Sequence, residues 1–527
     1  MTDFEMPSRR ALLTAIGKAG GAVALYQAMT ALGHAAPTQF SGPPKLSGAR
    51  SGASVLILGS GLAGMVAAYE MERAGYKVSI LEFQNRPGGR NYTVRGGDVI
   101  QEVGGAVQKC GFAPGNYLNP GPWRIPYHHQ ALLHYCQELG VALEPFMQIN
   151  HAGYVHSERA YGGKPQRYAE VGTDFKGHVA ELLAKAVNKS ALDDTISVED
   201  KQKLLEAMRG WGVLDKNMAY TSSLRTSAQR GFDRPPGGGV NGAPTPSQVA
   251  GLSDVLDQRM WQTMSFYFNT TMQTTMFQPV GGIDMIGKAF ARQLGDKIRL
   301  NSKVTRIAQD DKGVTVDYED TVTGAKAAAK ADFCVCTIPL PILSQIEVQV
   351  SEPKKTAISS LPYHSSCKVG LEMKRRFWEQ DEQIYGGHSF TTQSISEIAY
   401  PSYGFFKPGP AVLLGAYVGA AAYQFAGMTP EQRIEEALRQ GSVFHKQYRE
   451  EFSNGVAVAW SRLPWIQACA STWSDDIRAK HYQNLVSVDG RVVLAGEHCS
   501  YIGAWMEAAL LSSIDAITRL HQRALAA

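Results

Sequence analysis

The chain has 527 residues, 44% apolar and 19% charged, enough to bury a sizeable core in two or three domains, and its charges nearly balance at a formal +4. With no basic stripe interleaved with aromatics, nucleic acid is not an expected partner. The seven scattered cysteines fit neither a disulfide framework nor a zinc site, and Cys334 and Cys336 read as small buried residues on one face of a strand.

Residues 1–36 carry Ser8-Arg9-Arg10 ahead of a mildly apolar run that ends in Gly33-His34-Ala35-Ala36 before Pro37. The segment resembles a twin-arginine export signal, a route that carries folded proteins, and implies a periplasmic or secreted bacterial protein. The alternative is an ordinary N-terminal helix on a cytoplasmic protein. Beyond this segment no uninterrupted apolar run reaches about 18 residues, so no transmembrane helix is expected in the mature chain.

Residues 55–58 are four apolar residues in a row, read as a buried strand, and Gly59-Ser60-Gly61-Leu62-Ala63-Gly64 then completes a G-x-G-x-x-G turn. An alanine-rich helix over 65–74 with Gly75 as its C-cap follows, and residues 76–82 alternate into a second strand that ends on Glu82. In such a βαβ unit the glycines bring the amides at the helix start, around Gly61, Leu62 and Ala63, up to a pyrophosphate. Glu82 would accept hydrogen bonds from ribose hydroxyls and repel a 2′-phosphate. Glycines alone also suit a bare packing turn; strand, helix, strand and acid at this spacing favour dinucleotide binding.

The next residues, Arg86-Pro87-Gly88-Gly89-Arg90 with Thr93, resemble the R-x-G-G-R-x-x-T continuation of the flavin-dependent amine oxidase superfamily. The resemblance implies FAD as cofactor. It also implies an α/β fold of glutathione-reductase-type/amine-oxidase architecture: a Rossmann-like FAD-binding domain with a mixed-sheet substrate domain and a helical subdomain. The expected division is residues 52–125, 281–345 and 455–527 for FAD binding, 126–150 and 346–454 for substrate, and 151–280 for the helical part. After the flavin motif, Gly104-Gly105 follows a strand end, where backbone is expected to approach the cofactor.

Gly121-Pro122-Trp123-Arg124-Ile125-Pro126 then opens a helix over 129–139. It resembles the G-x-x-R-[IL]-P segment of the bacterial L-amino-acid oxidase branch, whose arginine grips the substrate carboxylate, a role that would fall to Arg124. A guanidinium suits that task because it is a rigid two-pronged donor. His128 and His129, adjacent at a helix start, do not share a helical face and suggest no metal.

From 153 to 278 the pattern is helical and polar, with a capping box at Ser197 and a flexible connection over 234–247 that suits either a lid or a linker. A helix over 254–268 follows, and Pro279-Val280-Gly281-Gly282-Ile283-Asp284 resembles the superfamily signature where the chain returns to the flavin domain. Strands are expected over 298–307, 314–318 and 333–337; in relatives the first sets a valine backbone against adenine, here Val304.

Lys368 precedes Trp378 by the spacing of the amine-oxidase lysine, which in that family holds a water against flavin N5 and assists reaction with oxygen. Glu397-Ile398-Ala399-Tyr400-Pro401 resembles the segment whose tyrosine supplements the arginine at the carboxylate, giving Tyr400, with Tyr403 as fallback. Residues 460–473 resemble a pocket-lining stretch, with Trp465, and with Ala468 and Cys469 where relatives often have glycine. Last, Ala495-Gly496-Glu497 and Gly503-Ala504-Trp505-Met506-Glu507 match a pattern specific to the superfamily. By that likeness Gly496, Glu497, Trp505 and Met506 contact the flavin, and the Ala504 carbonyl accepts from the substrate amine beside Trp505.

Taken together, the resemblance implies an FAD-dependent oxidase converting L-amino acids and oxygen to 2-oxo acids, ammonia and hydrogen peroxide by hydride transfer from Cα to flavin N5. Arg124, Tyr400, Lys368 and Trp505 would carry the chemistry, with no metal. An L-amino-acid 2-monooxygenase and a polyamine or monoamine oxidase share most of these motifs. Aromatic residues around the pocket favour a large apolar or aromatic substrate, whereas a basic side chain would look to an acid such as Asp254 or Asp257; a homodimer is the family's common habit.

Overall fold

The computed structural model describes residues 40–526 except 50, 51, 193, 194, 267, 273 and 274; the expected export signal therefore lies outside the described residues. Strand Ser54–Leu58, helix Leu62–Arg73 and strand Lys77–Leu81 form the anticipated unit. These strands sit in a five-stranded parallel sheet ordered Ile298–Arg299, Lys77–Leu81, Ser54–Leu58, Phe333–Cys336, Val492–Leu494. Covered on both sides, the runs 55–58, Phe333–Cys336 and Val492–Leu494 are continuously apolar. Val55, Ile57, Val335 and Val493 pack toward helices Leu62–Arg73 and Met506–Leu525. Leu56, Leu58, Cys334 and Cys336 pack on the other side against the four-stranded sheet that contains Ser302–Gln309. The cysteine pair is core filling.

A seven-stranded mixed sheet makes the second layer, in the order Gln166–Arg167, Tyr154–His156, His388–Thr391, Glu397–Ala399, Ala411–Val418, Cys367–Met373, Phe452–Ala459. Two expected boundaries shift accordingly. Strand Phe452–Ala459 pairs along Cys367–Met373 and crosses the division placed at 454/455. The strands at Tyr154–His156 and Gln166–Arg167, expected within the helical part, extend the large sheet. Helices Tyr168–Asn188, Val198–Trp211, Leu224–Arg230, Leu252–Val255 and Gln258–Phe266 fill the interval, and Ser197 caps the second by accepting from Asp200 N at 3.1 Å. The 234–247 connection joins the paired strands Phe232–Arg234 and Thr245–Pro246. None of its residues lines the large cavity.

The segments around Arg124 and Met276 meet as antiparallel strands, Ile125–Pro126 pairing with Met276–Pro279. This pairing joins residues more than a hundred positions apart directly after Arg124. Among the described residues no helix is long and apolar enough to cross a membrane.

Candidate active site

A cavity of about 1200 Å³ runs between the parallel sheet and the large mixed sheet. At one end lies the glycine turn. Met65 N is the amide that bonds back to Gly61 O, so the amides before it point out of the helix end into the cavity, and no acidic residue occupies the first turn. Gly61 has open space where a Cβ would stand. Gly64 does not line the cavity; a Cβ there would lie 1.9 Å from Gly59 O, so this glycine lets the helix close on the strand. Gly89, at φ +56°, would bring a Cβ within 3.2 Å of Gly61 Cα, and its loop and the glycine turn form one cradle.

Glu82 is buried on the cavity wall, where its Oε2 accepts from Ser60 N and Oγ at 2.7 and 2.8 Å and its Oε1 from Gln84 N at 2.9 Å. A carboxylate has about four acceptor positions, so the same oxygens fit ribose hydroxyls. Val304 lines the wall beside a bulge in its strand, between Val304 and Arg306. Farther along, Arg90 donates to Cys469 O at 2.6 Å and to Glu497 Oε2 at 3.2 Å, and Glu497 also accepts from Ser471 Oγ and Ala504 N. Burial pushes the Glu497 carboxyl up, but Arg90 and these hydrogen bonds hold it below the usual range. With Gly59, Leu62, Ala63, Gly496 and Met506 also on the wall, these residues fit a flavin dinucleotide.

Gly104 and Gly105 do not belong to this set. They turn an exposed hairpin between strands Val99–Gln101 and Val107–Lys109 with φ of +94° and +90°, and no part of that turn lines the cavity. The positive φ required by the hairpin explains the glycine pair.

The other end of the cavity gathers Arg124, Lys368, Glu397, Tyr417, Trp460, Trp465, Cys469, Ala504 and Trp505. Arg124 is only 8% exposed, yet among the described residues no carboxylate is paired with it. Its Nη2 lies 3.5 Å from Met272 Sδ, its Nε has no partner among the described residues, and its guanidinium carbon stands 5.7 and 5.9 Å from the Trp123 and Trp505 rings. Lys368 donates to Gly121 O at 2.7 Å and sits 4.3 and 4.9 Å from the Tyr417 and Trp123 rings. Burial, with Arg124 adding repulsion, brings its ammonium down to about 7. Ala504 is held at φ +64°, a left-handed conformation normally given to glycine.

Tyr400 is not in the cavity. Its hydroxyl bonds Ser389 Oγ at 2.7 Å and His445 Nε2 at 2.8 Å within the core behind the large sheet. Along a strand neighbouring side chains alternate, so Glu397 and Ala399 face the cavity side while Ile398 and Tyr400 face away. Tyr403 stacks on Tyr117 and is equally remote. The tyrosine on the wall is Tyr417, directly paired with Lys368 across two strands. It sits in an almost wholly apolar strand, where the sequence gives no sign of it, and Glu397, although within the quoted motif, lies in a strand too short for its facing side to be read from the sequence. Asp254 and Asp257 accept from Tyr161 N and Met260 N and do not reach the cavity.

Residues 62–520 match the family model described as flavin containing amine oxidoreductase. An L-amino-acid oxidase of Siganus canaliculatus is 27% identical over 490 residues, 89% of this chain and 86% of that one. The flavin-dependent L-tryptophan oxidase RebO of Lentzea aerocolonigenes is 27% identical over 504 residues, 88% and 97% of the two chains. Among solved structures, the cyclohexylamine oxidase of Brevibacterium oxydans IH-35A superposes with a TM-score of 0.58 at 19% identity, covering 90% of this chain and 99% of that one. A putrescine oxidase with bound putrescine gives 0.53 at 18% identity, covering 91% and 99%. At such identities the structural likeness speaks for the fold.

Proposed function

Because the chain belongs to the family of flavin-containing amine oxidoreductases, we propose that it is an L-amino-acid oxidase: an L-α-amino acid, oxygen and water become a 2-oxo acid, ammonia and hydrogen peroxide. One observation carries this reading. Arg124 is a buried guanidinium on the cavity wall with no carboxylate paired to it among the described residues. Such a charge is costly to bury alone, and an α-carboxylate gives it the two parallel hydrogen bonds its fork is shaped for. The relatives named as amino-acid oxidases support the same assignment.

FAD, the family's cofactor, supplies the two-electron oxidant when bound. The chain's own groups do the rest. Arg124 fixes the carboxylate, so the substrate enters in one orientation and the reaction gains from positioning without a side-chain base. The Ala504 backbone carbonyl is the proposed acceptor for the α-amine. Lys368, with its ammonium near 7, holds or releases a proton at Nζ around neutral pH beside the reacting end. Trp465, Trp505 and Tyr417 wall the site against water.

Mixing the holoprotein with L-amino acids in the absence of air tests the proposal: the flavin absorbance should bleach, and admitting air should release equal amounts of peroxide and ammonia. Carbon dioxide and an amide instead would identify a 2-monooxygenase. Bleaching by simple amines or polyamines alone would identify an amine oxidase, and no bleaching by any amino acid refutes the assignment.

A further inference from the structure

The substrate end of the cavity contains a carboxylate that the reaction above does not use. Glu397 is 7% exposed, lines the cavity, and is held from behind by His388, whose Nδ1 lies 3.2 Å from Glu397 Oε2. His388 in turn packs 5.0 Å from the Trp123 ring, and the Arg124 guanidinium stands 5.7 Å from the same ring. One indole thus neighbours both the cationic anchor and the histidine that holds the anionic one, and Arg124 and Glu397 both line the cavity. The carboxylate also acts electrostatically on Lys368 and Tyr417, which places it at the reacting end and not in the nucleotide half.

Building on the amino-acid-oxidase reading, we infer that Glu397 selects amino acids with a cationic side chain, the class of lysine, ornithine and arginine, whose α-carboxylate goes to Arg124 and whose distal cation goes to Glu397. A cation brought into this buried wall gains Coulomb attraction that water does not screen. An apolar side chain of the same length brings no charge to this wall and gains no such attraction, so it is selected against. A site built around a buried charged or hydrogen-bonding group discriminates strongly against the isostere that lacks the matching group. Trp465, Trp505 and Tyr417 line the same cavity and offer apolar cover to the methylene chain of such a substrate.

The test uses the flavin-loaded protein and two pairs of probes. L-lysine and L-norleucine have the same backbone and chain and differ in the terminal ammonium; their kcat/KM values from peroxide release should differ by about 10²-fold or more in favour of lysine. The non-oxidisable pair 6-aminohexanoate and hexanoate reads binding alone through perturbation of the flavin spectrum, and the amino compound should bind at least about tenfold tighter. In Glu397→Gln both ratios should collapse toward one, norleucine improving while lysine falls; Glu397→Asp, which keeps the charge, should retain part of each. Norleucine turned over as well as lysine, or ratios unmoved in Glu397→Gln, overturns the selectivity and leaves the oxidase assignment standing. Absence of turnover with every L-amino acid, cationic or neutral, overturns the assignment and the selectivity with it.

Discussion

Replacing Arg124 with methionine separates two roles that a buried arginine can have. If the guanidinium serves the fold, its loss destabilises; if it serves the substrate, its loss costs affinity and orientation only. Among the described residues its surroundings are thin: a sulfur at 3.5 Å, two aromatic rings beyond 5 Å and no partner for Nε. Methionine keeps the aliphatic stem packed and removes a buried charge, so the melting temperature should hold or rise. A carboxylate taking two charge-assisted bonds from the fork gains about 1.5–3 kcal/mol from each. The two together amount to about 3–6 kcal/mol, or about 10²–10⁴-fold in kcat/KM. Anaerobic stopped-flow reduction of the bound flavin measures this directly, with each amino acid run beside the amine that lacks its carboxylate. The deficit should appear for the acid and vanish for the amine. If Arg124→Met reduces normally with amino acids, or loses equal activity on both members of a pair while its melting point drops, the guanidinium is structural and the reasoning fails.

Lys368 makes a pH prediction. Its ammonium, lowered from 10.5 to about 7 by burial and Arg124, is neutral in the folded protein and charged in the unfolded chain between those values, so the unfolded state binds more protons and stability from this group rises with pH across that window. Lys368→Met should therefore stabilise most at pH 6 and least at pH 10, and the rate inflection near pH 7 should disappear with it; equal melting shifts at both pH values would contradict the burial argument. Ala504→Gly relieves a left-handed backbone at about 1 kcal/mol, worth about 1 °C in a chain of this size, and calorimetry showing a lower melting point would refute the strain. Gly64→Ala forces a Cβ to within 1.9 Å of Gly59 O unless the helix moves off its strand; the purified variant should lose about 3 kcal/mol or more and retain little flavin, whereas full flavin content with unchanged melting would show the contact to be soft.

Local chemistry was legible in the linear chain. The strand, glycine turn, helix and acid of residues 54–82 are all written in neighbouring positions, because a helix start, a close approach and a buried strand each depend on residues a few places apart. The same holds for Arg90 and Glu497, recognised separately from their motifs, although their 3.2 Å contact across four hundred residues is a product of folding. Gly104 and Gly105 show the limit of such reading: positive φ makes a glycine pair necessary whether the turn holds a phosphate or a surface hairpin. Tyr400 shows a second limit. A strand of three residues, Glu397–Ala399, contains no periodicity long enough to say which side faces the cavity, and a shift of one position exchanges Tyr400 for Ala399 and hides Glu397. That parity is set by the hydrogen-bond register with Ala411–Val418, which also lays Tyr417 beside Lys368. The residue types that fit a dinucleotide, and the arginine proposed to grip a carboxylate, were thus decided along the chain. Which carboxylate and which phenol share the cavity with them was decided by strand register, because only pairing between distant strands determines the face each side chain takes.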